Sequence, residues 1–189
     1  MNITILNGDM SDTSGDFSAY IQKLARKLRE EHRVNLFLLN QMNIQHCSGC
    51  WNCWWKTPGR CNTNDDAEQV LRAVINSDFV IFASPLMAGF VSSLLKRMTD
   101  RFVGLLHPYI EMRNGESHHI KRYPHYPDFG VILAKEPDTD EEDLAIVRDI
   151  YDRFALNFHA QQRYLKCIET SNVKEVVHET SHYQRVAEA

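Results

Sequence analysis

The run Asp78-Phe79-Val80-Ile81-Phe82-Ala83 constrains the fold more than any other segment of this chain. It is almost wholly apolar and rich in β-branched and aromatic residues. That is the pattern of a strand buried on both faces, and such strands occur in parallel sheets covered by helices on either side. Four further runs have strand character: Ile3-Thr4-Ile5-Leu6 ending at Asn7-Gly8, Val34-Asn35-Leu36-Phe37-Leu38-Leu39, Phe129-Gly130-Val131-Ile132-Leu133 and Tyr164-Leu165-Lys166-Cys167-Ile168.

Between these runs, apolar residues recur at three- and four-residue spacing, the signature of amphipathic helices. The sets are Phe17, Tyr20, Ile21, Leu24 and Leu28; Val70, Leu71, Val74 and Ile75 behind Asp65-Asp66; Val91, Leu94, Leu95, Met98 and Phe102; and Leu144, Val147, Ile150, Tyr151, Phe154 and Phe158. Five strands alternating with four helices predict an α/β fold: a three-layer, doubly wound, parallel five-stranded sheet in the flavodoxin-like order 2-1-3-4-5. Its ligand crevice opens at the carboxyl ends of strands one and three. One domain is expected over residues 1–189, with a cysteine loop at 47–61 and a long loop at 107–128. The third strand is expected to stop at Ser84-Pro85. The 107–128 loop, with His118, His119, His125, Tyr109, Tyr123 and Tyr126 around Lys121-Arg122, is long enough to suggest a crevice cover or a subunit contact.

Composition narrows the function classes. Twenty-one Lys and Arg against 25 Asp and Glu give a formal charge of −4, which offers no general electrostatic footing for nucleic acid or an anionic membrane. Apolar runs fall short of the ~18 residues of a membrane span. Met1-Asn2-Ile3-Thr4 lacks the pattern of a signal peptide, so a cytoplasmic location is expected. Neither G-x-G-x-x-G nor G-x-x-x-x-G-K-[ST] occurs, which disfavours a Rossmann dinucleotide site and a P-loop.

Four of the five cysteines and all three tryptophans lie between Cys47 and Cys61. Cys47, Cys50, Cys53 and Cys61 spell C-x2-C-x2-C-x7-C, a spacing that can turn four thiolates toward one iron–sulfur centre. Zinc, a disulfide, or buried reduced cysteines are the other readings of the same residues. Cys167 lies in a strand and reads as core. Trp51, Trp54 and Trp55 can shield a redox centre, stack on a planar substrate, or serve as a hydrophobic staple or subunit contact.

Asn7-Gly8 after the first strand, the cysteine loop closing on Asp65-Asp66, and Ser84-Pro85-Leu86-Met87-Ala88-Gly89-Phe90-Val91-Ser92 together resemble the NADPH-dependent FMN reductases. More closely, they resemble the iron–sulfur flavoproteins of that flavodoxin-like group. The resemblance covers about the first hundred residues in its motifs and the remainder in strand–helix order. It implies FMN over the carboxyl ends of the strands, with Ser11, Thr13, Ser14 and Ser18 as candidates for the phosphate and Ser84, Pro85, Leu86, Met87, Ala88 and Gly89 beside the ring. It implies a [4Fe–4S] cluster on Cys47, Cys50, Cys53 and Cys61. It also implies NAD(P)H as electron donor, a redox partner or small-molecule acceptor, and a homodimer or tetramer. Hydride transfer is then the chemistry of flavin and nicotinamide, and no catalytic side chain is nominated.

Three loops depart from the family pattern. The loop after the first strand carries Asp9, Asp12 and Asp16 and no Lys or Arg, and each carboxylate close to a phosphate costs on the order of a kcal/mol. Met87 and Ala88 stand where the family commonly places aromatics. Glu136-Pro137-Asp138-Thr139-Asp140, after the fourth strand, is acidic and free of glycine. A flavodoxin-like metal-binding or interaction protein without flavin is the alternative these loops suggest. A remoter one is a zinc hydrolase, since His178-Glu179-Thr180-Ser181-His182 matches H-E-x-x-H. Polar residues at 180 and 181, in a chain with nine histidines, favour a surface pair instead.

Overall fold

The computed structural model describes residues 1–11, 15–113 and 115–182. In chain order the elements are β1 (Asn2–Asn7), α1 (Asp16–Leu28), β2 (Arg33–Leu38), α2 (Asn52–Trp55), α3 (Ala67–Ile75), β3 (Phe79–Met87), β4 (Phe90–Val91), α4 (Ser93–Asp100), β5 (Leu106–Arg113), β6 (Glu116–Lys121), β7 (Asp128–Ala134), α5 (Glu141–Asn157), β8 (Gln162–Cys167) and α6 (Val173–Ser181).

The main sheet runs β2-β1-β3-β7-β8, all parallel, which is the expected 2-1-3-4-5 order. Successive side chains of a strand alternate between faces, so β3 feeds two cores. Phe79, Ile81 and Ala83 join Ile3, Ile5, Ile21, Leu24 and Val176 beneath α1 and α6. Val80 and Phe82 join Leu6, Val74, Met98 and Val147 beneath α3, α4 and α5. Phe82 is fully buried and meets Phe129 and Phe154 edge-on at centroid distances of 5.2 and 5.5 Å. Such pairs add about 0.5–1.5 kcal/mol each beyond their buried area. No helix among the described residues is long and apolar enough to cross a membrane.

Two expectations are corrected. Strand three does not stop at Ser84-Pro85; it continues to Met87 and folds back on β4 through the pairs Leu86–Val91 and Met87–Phe90. Proline is tolerated there because β1 has already ended. The last pair of that ladder is Asn7–Ala83, with Gly8 donating to the Ala83 carbonyl, so Pro85 faces the side on which β1 is gone and no ladder bond is lost. Likewise, residues 107–128 are not one long loop. β5 and β6 form an antiparallel hairpin, whose base is pinned by Tyr126: its hydroxyl donates to the Leu105 carbonyl and accepts from the Arg122 amide. The Arg122 guanidinium donates twice to the Leu106 carbonyl, so this cation serves the hairpin. A further helix, α6, covers β8 and carries His178 to Ser181 of the H-E-x-x-H motif, with His182 as its C-cap.

Candidate functional site

At the carboxyl end of β1, the Asn7 side-chain oxygen accepts from the Asp9 amide, and Asp9 Oδ1 accepts from both the amide (2.9 Å) and the hydroxyl (2.7 Å) of Ser11. Asp9 is buried, and its second oxygen has no hydrogen-bond partner. Thr13 and Ser14, like Asp12, lie outside the described residues. Gly15 caps α1 with no side-chain hydrogen bond, so no side chain of the cap occupies the amides of the first turn, which are the groups that bind anions at a helix start. Ser18 is buried, and its hydroxyl accepts from Gln22 at 3.5 Å. Asp16 is exposed in the same turn.

The second loop is held from below. The Ser84 hydroxyl, fully buried, accepts from the Ser92 amide at 2.8 Å and donates to the Pro85 carbonyl. Leu86 is buried as well, whereas Met87 and Ala88 are exposed and Pro85 and Gly89 are half-buried. Ala88 and Gly89 take φ of 51° and 71°, the left-handed pair that closes a tight β3–β4 turn. A Cβ on Gly89 would sit 3.2 Å from Asp143 Oδ1, so the first turn of α5 abuts this turn.

The cysteine loop hangs from two acidic residues and two arginines. The Asn43 amide donates to Asp66 and the Gln45 amide to Asp65, while Arg97 and Arg101 donate to the Ile44 and Gln45 carbonyls. Arg101 also forks onto Asp65 at 2.9 and 3.1 Å, with both side chains essentially fully buried. Burial alone pushes the Asp65 carboxyl up, but the Arg101 hydrogen bonds and the Gln45 and Ala67 amides outweigh it and hold the group below the ordinary carboxylate range. Breaking a buried pair of this kind costs about 3–5 kcal/mol.

Beyond this anchor, left-handed Gly49 and Trp51 (φ 64° and 58°) turn the chain into α2. Cys47, Cys50, Cys53 and Cys61 then line one cavity of about 310 Å³ with Trp51, Asp100 and Val103. The Cys53 thiol is pushed up by burial and then by its neighbours Cys61, Cys47 and Cys50. The Cys50 thiol is exposed and drawn down by the Asn52 amide and the Ser48 hydroxyl. Trp54 fastens α2 to the body: its indole N–H donates to the Val103 carbonyl at 2.9 Å, and its ring stacks on Trp51 and meets His119 at 4.9 Å. Trp55 is exposed. Cys167 is buried on β8, apart from the loop.

On α6, His178 and His182 stack at 4.2 Å, but the Glu179 carboxylate is paired with Lys166 at 2.8 Å. Among the described residues, no three His, Cys, Asp or Glu side chains close on a point tightly enough to hold a single metal ion. Cys47, Cys50, Cys53 and Cys61 line one cavity without converging on a point, and cysteine thiols are the donor type that iron–sulfur clusters take. Sequence reasoning missed Arg101, which stands 36 residues from its partner Asp65 and carries no local motif.

A parallel sheet in the order β2-β1-β3-β7-β8, with its crevice at the β1/β3 switch point, together with a cavity lined by four cysteines, defines a doubly wound α/β protein of flavodoxin-like fold. Residues 1–115 match the family described as NADPH-dependent FMN reductase, and the chain belongs to that family. It is similar to an iron–sulfur flavoprotein of Clostridioides difficile, 35% identical over 104 residues that make up 53% of this chain and 45% of the relative. It is also similar to one from Methanocaldococcus jannaschii, 30% identical over 88 residues, 46% of this chain and 45% of the relative. The chain thus spans about half the length of the curated relatives it matches. Among solved structures it shares its fold with RosB bound to 8-demethyl-8-formylriboflavin-5'-phosphate, at TM-score 0.63 and 14% identity over 95% of this chain and 77% of the other. It shares it as well with an FMN-dependent NADH-azoreductase from Bacillus anthracis in complex with FMN, at TM-score 0.60 and 14% identity over 93% and 92%.

Proposed function

We propose that this chain is a flavin-dependent oxidoreductase that draws electrons from NAD(P)H through FMN and passes them by way of a [4Fe–4S] cluster to a redox partner or small-molecule acceptor. The observation that carries the reading is the gathering of Cys47, Cys50, Cys53 and Cys61 around one cavity in a chain of an FMN reductase family. FMN would lie at the carboxyl ends of β1 and β3, its phosphate toward the α1 amides and its ring against the Met87–Gly89 turn, while Ser11 reaches the phosphate only by giving up its amide and hydroxyl bonds to Asp9. Bound there, the flavin supplies hydride acceptance and one-electron release. The protein's share is to hold the ring at the crevice and keep the four thiols together. The domain works as a homodimer or tetramer, with the hairpin, where Tyr109, Ile110 and Met112 are exposed, as the contact surface.

Anaerobic purification followed by an absorption spectrum tests both cofactors. Expected are the flavin bands and a broad iron–sulfur absorption beneath them, the latter lost on replacing Cys50 or Cys53 by serine while the flavin bands persist. A protein that stays colourless after addition of FMN, iron and sulfide refutes the reading. Metal without flavin, and no NADPH oxidation with any acceptor, favours a metal-binding protein on the same fold.

A further inference from the structure

Granted the cluster reading above, we propose that Arg101 is a positioning residue whose buried charge makes a centre on the four cysteines easier to reduce. The guanidinium is 1% exposed and reaches three ways at once. It forks onto Asp65, it holds the carbonyl of Gln45 two residues ahead of Cys47, and its charge acts on Cys61, in the wall of a cavity that its chain neighbours Asp100 and Val103 also line. Its field also acts on Cys50. One fixed side chain therefore holds the entry of the cysteine loop and bears by its charge on the loop's last cysteine, 16 residues further along the sequence.

The electrostatics follow from the charge of such a centre. Four thiolates leave an iron–sulfur cluster net negative, and taking up one electron makes it more so, with no proton needed. A buried cation close to the ligating sulfurs stabilises the reduced form more than the oxidised one and so raises the potential. Burial matters because salt largely screens exposed charges beyond about 10 Å but reaches a buried one poorly. Asp65 opposes the effect: it is the counter-charge that keeps the cation buried at tolerable cost and that partly cancels its field. Charge and architecture thereby make different predictions for the two partners. Removing either residue breaks the same ion pair, but the local charge moves in opposite directions.

The test uses the full chain, reconstituted anaerobically with ferrous iron and sulfide, with dithionite as electron source. Iron per chain and an EPR-monitored redox titration are the readouts. Wild type is expected to load iron; if it takes up none, the cluster reading itself falls and this inference with it. Arg101→Gln is expected to retain several-fold less iron, and the centres that remain titrate at a more negative potential. Asp65→Asn is expected to titrate at a more positive one. Arg101→Lys restores the charge and brings loading and potential back toward wild type. If Arg101→Gln and Asp65→Asn shift alike, or load normally and do not shift, the inference is overturned while the cluster reading stands. It is equally overturned if a folded Arg101→Lys loses iron as completely as Arg101→Gln.

Discussion

The Ser92 hydroxyl donates to the Gly8 carbonyl across 2.5 Å, locking the loop after β1 against the start of α4. The same oxygen accepts from the Leu95 amide at 3.3 Å as the cap of that helix. The contact is so close that a Cβ on Gly8 would fall 2.7 Å from Ser92 Oγ, which is why glycine occupies that position.

Ser92→Ala removes a helix cap and leaves the Gly8 carbonyl without its donor. The expected cost is about 1–2 kcal/mol in urea unfolding, together with several-fold weaker FMN binding because the phosphate loop is no longer braced. Wild-type values for both would show that the corner is held by other contacts.

Asp16 stands exposed in the first turn of α1, among the amides assigned to the phosphate. Replacing it by serine is expected to tighten FMN by about fivefold at low ionic strength, the equivalent of one close like-charge contact in water, with the gain shrinking as salt is added. Flavin fluorescence quenching reads this directly. A gain that persists in high salt would point to a cause other than charge.

Gly130 lies opposite Tyr164 in the β7–β8 register, and a Cβ at this glycine would come within 2.1 Å of the tyrosine ring. Gly130→Ala is accordingly expected to cost about 1–3 kcal/mol or more by overpacking. In a Tyr164→Leu background the same change should cost far less. Thermal unfolding of the four-member cycle measures the coupling, and additive effects would show that the ring is not the obstacle.

His159 is buried with φ of 51°; its Nε2–H donates to the His119 carbonyl and its Nδ1 accepts from Arg113. Burial, ahead of the neighbouring Arg113 and Lys121 charges, holds this imidazole below its ordinary value of 6.5, with the His119 carbonyl pulling the other way. The unfolded chain therefore binds more protons at this ring over the pH range just under 6.5. The ring's contribution to stability is complete above that value and is lost as the pH falls through the range. His159→Gln is expected to flatten the decline in urea midpoint between about pH 7 and 5. An unchanged slope would assign the decline to other groups.

Strand order was legible because the apolar run at 79–83 admits only a strand covered on both faces, and helical spacing supplied the covers. The extension through Pro85 was not legible, since it depends on where the neighbouring β1 ends. The β5–β6 hairpin left a trace in Asn114-Gly115, a favoured hairpin dipeptide, but the prolines and histidines around it have the composition of a loop. For the site, spacing named the four cysteines. Their common cavity depends on Asp100 and Val103, and their anchor on a residue 36 positions from its partner, neither of which local pattern encodes.

α4 begins at the corner where Ser92 meets Gly8 and ends at Asp100, in the wall of the cysteine cavity. Its eight residues make a strut about 12 Å long. On the proposed reading, the place where electrons are loaded and the place where they are delivered are therefore separate docks on one body.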